Sequence, residues 1–263
     1  MSDFSTIWST DSKFLWVGAA YDTNLVYCKF SDTPNVLACL DVTDGTIKWQ
    51  KEIANPDGET GERYKRIQKI LGLYKDKLYI VNYAGRILEL QAGDGEMTAY
   101  WFELPDGISW HDFDARPVRP QTCLPATRNS ILVPDEGKIY GLSDYFFWEI
   151  DLEIKAVSFF DQTEEFRASR VKVQQTGQLS RQGDCLFFTS RMLWKNEQNT
   201  WDTFYKIAAF NTKTRKLEWT HPFEFTGINS FASPAPIVEE DRLYVMDTEG
   251  LLYVFGKEPE TAA

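Results

Sequence analysis

Residues 243–255 read LYVMDTEGLLYVF, two apolar runs on either side of Glu249-Gly250. Glycine at that place lets the chain reverse through a positive-φ turn, so the phrase is a β-hairpin. It stands earlier as LYIVNYAGRILEL over residues 78–90, with Gly85 where Gly250 stands. A third form, IYGLSDYFFWEID, fills residues 139–151 and lacks the glycine. A hairpin repeated at a distance marks a repeat architecture, in which no unit buries its apolar face alone.

Working outward, a second phrase follows each hairpin. In CLDVTDGTIKW the residues Asp41, Gly45 and Trp49 are evenly spaced, and Asp44-Gly45 is itself a strong hairpin signal. Weaker forms are Gln91, Gly95 and Trp101; Asp151, Lys155 and Phe159; and Asn211, Arg215 and Trp219. Each turn leads into a last strand that carries a large aromatic. Strands over 13–20, 24–30, 36–41 and 46–51 make the first antiparallel unit. Further units span 68–101, 130–160, 176–221 and 234–256, and the first runs 13–51. The steps between the aromatics exceed the ~40–50 residues of common propeller repeats, so the surplus lies in loops.

The predicted fold is all-β, a single β-propeller over residues 1–263 with about five four-stranded antiparallel blades. The last unit supplies only three strands. Residues 3–9, which include Trp8, are expected to add its outer strand and close the ring, because open edges invite pairing with other chains. A six-blade ring using part of residues 102–129 is the alternative.

These two phrases together resemble the β-propeller repeat of pyrroloquinoline-quinone-type dehydrogenases and their non-catalytic relatives. The first unit keeps Asp41, Gly45 and Trp49, whereas each later unit departs from the pattern. The resemblance implies the propeller fold over nearly the whole chain. Quinone-binding members of the family are larger and exported, so it implies a degenerate, non-catalytic relative here.

The charge balance is 39 acidic against 28 basic side chains, a net charge of −11. A field of that sign repels nucleic acid and attracts basic proteins. The four cysteines, Cys28, Cys39, Cys123 and Cys185, form no CxxC pair, and three of them sit in apolar strand patterns. The opening residues carry acid early and lack the apolar run of a signal peptide, and no stretch reaches the ~20 apolar residues of a membrane span. A reduced, cytoplasmic monomer that touches neither nucleic acid nor membrane is the expectation.

Chemical motifs are missing from the sequence. Two histidines, His111 and His221, stand far apart, and no HExxH, GxSxG or phosphate-loop spacing occurs. Acid pairs such as Asp112/Asp114 lie too close in sequence for the separated carboxyls of glycoside hydrolysis. No catalytic, metal-binding or cofactor-binding residue is therefore assigned, and no cofactor is expected.

Strand alternation puts the loops between units and the loop inside the fourth unit at one end of the blades. All the long segments are of these kinds: 52–67, 102–129, 161–175, 191–204 and 220–232. Loops on a rigid scaffold are the usual seat of binding. The candidate partner-binding residues there are Trp110, Asp112, Asp114, Arg116, Glu164, Glu165, Trp194 and Trp201. Tryptophan and arginine favour interface centres, although indoles that merely cover blade ends account for the same residues. The functional expectation is a non-enzymatic protein-binding propeller, in its sharpest form a bacterial immunity protein that neutralises a basic, nuclease-type toxin. A quinoprotein-like enzyme or cofactor binder and a propeller scaffold of a larger assembly are the alternatives.

Overall fold

The computed structural model describes residue 9 and residues 20–21, 25–29, 35–53, 66–82, 87–101, 129–143, 145–173, 178–195, 198–223, 235–247 and 250–256. Backbone contacts divide the chain into two compact units. One holds residues 1–127, 132–139 and 150–157; the other holds 128–131, 140–149 and 158–263.

The first unit contains two meanders. One runs β1 (Ala20–Tyr21), β2 (Leu25–Lys29), β3 (Val36–Asp41) and β4 (Ile47–Glu52). The other runs β5 (Ile67–Tyr74), β6 (Lys77–Asn82), β7 (Ile87–Gln91) and β8 (Met97–Trp101). The third sheet, β9 (Ser130–Val133), β10 (Lys138–Ser143), β11 (Phe146–Asp151) and β12 (Ala156–Asp161), contributes residues to both units. The second unit adds the helix α1 (Thr163–Ala168) and the sheet β13 (Ser180–Gln182), β14 (Cys185–Lys195), β15 (Trp201–Asn211) and β16 (Lys216–Phe223). It ends with β17 (Ile237–Glu239), β18 (Arg242–Met246) and β19 (Leu252–Gly256), a sheet of three strands.

The expectation of about five four-stranded blades is thereby corrected to four such sheets and a three-stranded fifth among the described residues. Residues 3–8 of the strand expected from 3–9 lie outside the described residues, as do residues 102–128 of the six-blade alternative.

The sequence repeat has a backbone counterpart. In three sheets the register slips immediately after one pair, Cys39↔Trp49, Glu89↔Ala99 or Ala209↔Trp219. A bulge at the same place in each repeat twists the last strand in the same way. The register also corrects one reading. Ala99, not Trp101, occupies the position of Trp49 and Trp219, because Trp101 pairs with Ile87 two residues further along.

The turn before each bulge explains the Asp-x-x-x-Gly spacing. The Asp41 carboxylate accepts the Thr43 N–H at 2.8 Å, and the Asp41 carbonyl accepts the Gly45 N–H at 2.9 Å. A hydrogen bond from Lys48, followed by that from Thr43, holds the Asp41 carboxyl below the usual carboxylate range. Gly45 and Gly95 have φ of 74° and 73°, the left-handed region. Lys155 and Arg215 adopt φ of 54° and 57° in their place. There Asp151 and Asn211 each accept two backbone N–H groups, which offsets part of the cost of the non-glycine conformation.

Within the first unit, Trp49 links neighbouring sheets. Its Nε1–H donates to the Ala92 carbonyl at 3.0 Å, and its ring packs beside the cluster of Tyr27, Leu37, Leu78, Ile80 and Leu90. A Cβ on Gly95 would stand 2.7 Å from that ring, so the glycine serves the packing as well as the turn. Trp219, at the same place in its sheet, is 37 % exposed, with Phe255 at 5.8 Å edge-on.

An aromatic wall of Phe146, Phe147, Trp148, Phe166, Phe188 and Phe210, all fully buried, fills the second unit. Gly141 accommodates the Trp148 indole, which a Cβ there would meet at 1.9 Å. Cys39 is buried, and burial pushes the Cys185 thiol up.

Candidate functional site

The long hairpin of the fourth sheet departs most from the expected layout. Residues 191–204, read as a loop, are mostly strand: β14 and β15 pair through Trp194↔Asp202 and Lys195↔Trp201. Burial alternates through this stretch, with Met192 4 % and Leu193 53 % exposed, as the two faces of a pleated strand require. Trp194 and Trp201 therefore belong to strand ends beside the tip.

Among the described residues, neighbouring strands stop short of that tip. On the β14 side the last partners are Val173, bridged to Ser190, and the Lys172 carbonyl, which accepts the Arg191 N–H at 3.1 Å. On the β15 side, the last pair with β16 among the described residues is Tyr205↔Phe223. Residues 192–195 and 201–204 thus form a two-stranded ribbon whose outer edges have no strand partner among the described residues. Leu193, Asp202 and Thr203 are exposed on it.

The helix α1 packs at the base of the ribbon. Phe166 is its anchor, with ring centroids 6.2 Å from Phe188 and 5.9 Å from Phe210. Glu165 Oε1 accepts the Leu217 N–H at 3.0 Å. In the amide orientation that satisfies both of its ends, Gln162 donates to Glu165 Oε2 at 3.2 Å and to the Arg215 carbonyl at 3.1 Å. Glu165, one of the candidate partner-binding residues, thus clamps the turn before β16. Glu164, by contrast, is exposed.

The helix ends in a Schellman turn. Val171 N–H donates to the Phe166 carbonyl at 2.7 Å, and Arg170 N–H donates to the Arg167 carbonyl at 3.0 Å. Arg170 takes the position that glycine usually fills, at φ 51°. Its guanidinium lies 4.8 Å from the centroid of the Phe204 ring.

Of the other expected site residues, Trp110, Asp112, Asp114 and Arg116 lie outside the described residues, with His111. His221 sits on β16 between Trp219 and Phe255, at centroid distances of 5.9 and 5.0 Å. No group of three or more potential metal ligands gathers among the described residues. Nor, among them, is any helix long and apolar enough to cross a membrane.

With the geometry in hand, known proteins place the fold. A family model for the PQQ-type repeat, described as outer membrane protein assembly factor BamB, matches residues 12–143, half of the chain. The chain belongs to this PQQ-like repeat family. BamB from Moraxella catarrhalis superposes with a TM-score of 0.53 at 15 % identity, over 96 % of this chain and 64 % of that one. The WD40 β-propeller domain of Doa1 gives 0.49 at 10 % identity, over 91 % of this chain and 63 % of that one. No curated protein matches. The fold is an all-β propeller with four-stranded antiparallel blades, and the chain spans just under two thirds of the BamB structure's length.

The sequence reading missed the basic residues around α1 as a group. Arg167 and Arg170 were visible only as part of a mixed-charge segment, and Lys206 lies on a distant strand. Only the packing of α1 against the base of the ribbon brings them together.

Proposed function

We propose that this chain is a non-enzymatic, protein-binding β-propeller and that the β14–β15 ribbon is its contact element. One observation carries this reading: two strands of eleven residues run past the sheet neighbours that the described residues supply, with Leu193, Asp202 and Thr203 exposed toward the end of the hairpin. An open strand edge is normally shortened, charged or covered, because its free N–H and C=O groups recruit another strand. Left long on a rigid sheet, it suits addition of a strand from a partner protein.

The sharper form of the proposal is a cytoplasmic immunity protein that captures a basic toxin. Its support is the net charge of −11, which speeds association with a cation. A second reading is favoured by the family match: BamB is named an assembly factor for outer membrane proteins, and this chain would likewise be a scaffold subunit.

The test is capture from the source cell with tagged wild-type chain, followed by reconstitution from purified components. A defined complex that is lost when Leu193 is changed to Asp supports the reading. A wild-type chain that captures no protein, or that turns over a substrate or carries bound quinone, overturns it. Cell fractionation and the identity of the captured protein separate toxin neutralisation from envelope assembly.

A further inference from the structure

We propose that the surface formed by the end of α1 and the adjoining face of the ribbon docks an acidic segment of a partner protein, held by Arg167, Arg170, Lys172 and Lys206. The proposal rests on the protein-binding reading and gives that partner its chemistry.

In a chain with an excess of acid, these four cations gather in one place. Arg167 and Lys172 lie 5.2 and 5.5 Å from the centroid of one ring, Tyr145. Arg170 covers Phe204, and Lys206 Nζ donates to the Ser169 carbonyl at 2.5 Å. Phe204 and Lys206 are alternate residues of β15, so both side chains stand on the same face of the ribbon. The Lys172 N–H donates to Ser190 Oγ at 2.8 Å, and Ser190 is the cross-strand partner of Lys206. Among the described residues, Arg167, Arg170 and Lys206 make no ion pair with a carboxylate. Among the described residues, the acids nearest in sequence or register are Glu164, exposed one turn before Arg167; Glu165, turned to the Leu217 N–H; and exposed Asp202, two residues toward the tip from Phe204.

Two features show that the fold holds these charges against an opposing cost. Burial, with the neighbouring charge of Arg170, pushes the Lys206 ammonium down. Arg170 also occupies a left-handed turn position that glycine fills with less strain. A cation kept at such a place is suited to a task outside the fold.

The geometry favours carboxylates over nucleic acid. The Tyr145 and Phe204 rings are covered by cations, so their faces are not platforms for base stacking. A net charge of −11 also opposes a long polyanion. A guanidinium lying on a ring keeps its N–H edge available for the planar fork of a carboxylate. A partner segment in extended form presents every second side chain to one face, so alternate carboxylates would lie over the cations.

Fluorescence anisotropy with labelled decaglutamate tests the site. Arg170→Gly suits the turn at φ 51° and keeps the melting temperature, and Lys206→Gln keeps the aliphatic stem. Each should weaken binding about tenfold, the loss of one charge-assisted contact. Arg191 pairs across the ribbon with Tyr205, on the opposite face, so Arg191→Gln should change binding by less than about twofold. Absence of decaglutamate binding, or an equal loss with Arg191→Gln, contradicts the proposal. Tighter binding of a decauridylate than of the peptide contradicts it in favour of nucleic acid. In the capture experiment, a partner held equally well by the Arg170→Gly/Lys206→Gln double variant overturns the acidic dock and leaves protein binding standing. A wild-type chain that captures no protein loses both.

Discussion

Trp49 and Trp219 occupy one position of the repeat, yet they do different work. Trp49 reaches the next sheet, donates to the Ala92 carbonyl and rests where Gly95 has no side chain. Trp219 remains over a third exposed against Phe255 and His221. Trp49→Ala removes a packed ring together with its hydrogen bond and should cost about 3 kcal/mol or more. Trp219→Ala should cost about 1 kcal/mol, since much of that ring already meets solvent. Urea unfolding of the two variants measures the difference, and equal midpoints would show that the repeat position alone sets the burial. The position was legible in the sequence at residues 49, 159 and 219, where spacing after the turn is constant. At the second repeat the eye goes to Trp101, because a large aromatic outweighs Ala99 in a pattern search. Only the bulge after Glu89↔Ala99 fixes the register.

At the scale of elements, strand and turn signals were clear and the helix was not. The short segment TEEFRA has too few residues for a helical period, and its stability comes from Phe166 and the Glu165 clamp, both long-range contacts. For the same reason Glu165 read as a surface acid beside Glu164. Glu165→Ala leaves the Leu217 N–H without its acceptor and should lower stability by about 1–2 kcal/mol. Glu164→Ala should stay within about 0.5 kcal/mol. Thermal melts of the two single variants distinguish them, and an equal effect would contradict the clamp. The β14–β15 ribbon was misread differently. Polar residues from Lys195 to Thr200 look like a loop, and the run was extended into residues whose alternation in fact continues the hairpin. Sequence periodicity places a strand; it does not say whether that strand has neighbours.

For the whole molecule, the propeller fold follows from a repeat that the chain states three times in its own sequence, and the BamB superposition agrees with it. The site is less legible, because its cations come from α1, the segment after it and β15, and no local motif joins them. Half of the loop residues first expected to bind lie outside the described residues, and two others are strand residues at the ribbon tip. The proposed contact is therefore the strand ribbon rather than the loops. Hydrogen–deuterium exchange on the chain, alone and with its captured partner, tests this most directly. Strand addition at the ribbon predicts slowed exchange within residues 191–206 and in the segment that follows α1, with the turns at Gly45 and Gly95 unchanged. Protection confined to those turns, with the ribbon exchanging as fast as in the free chain, would contradict it.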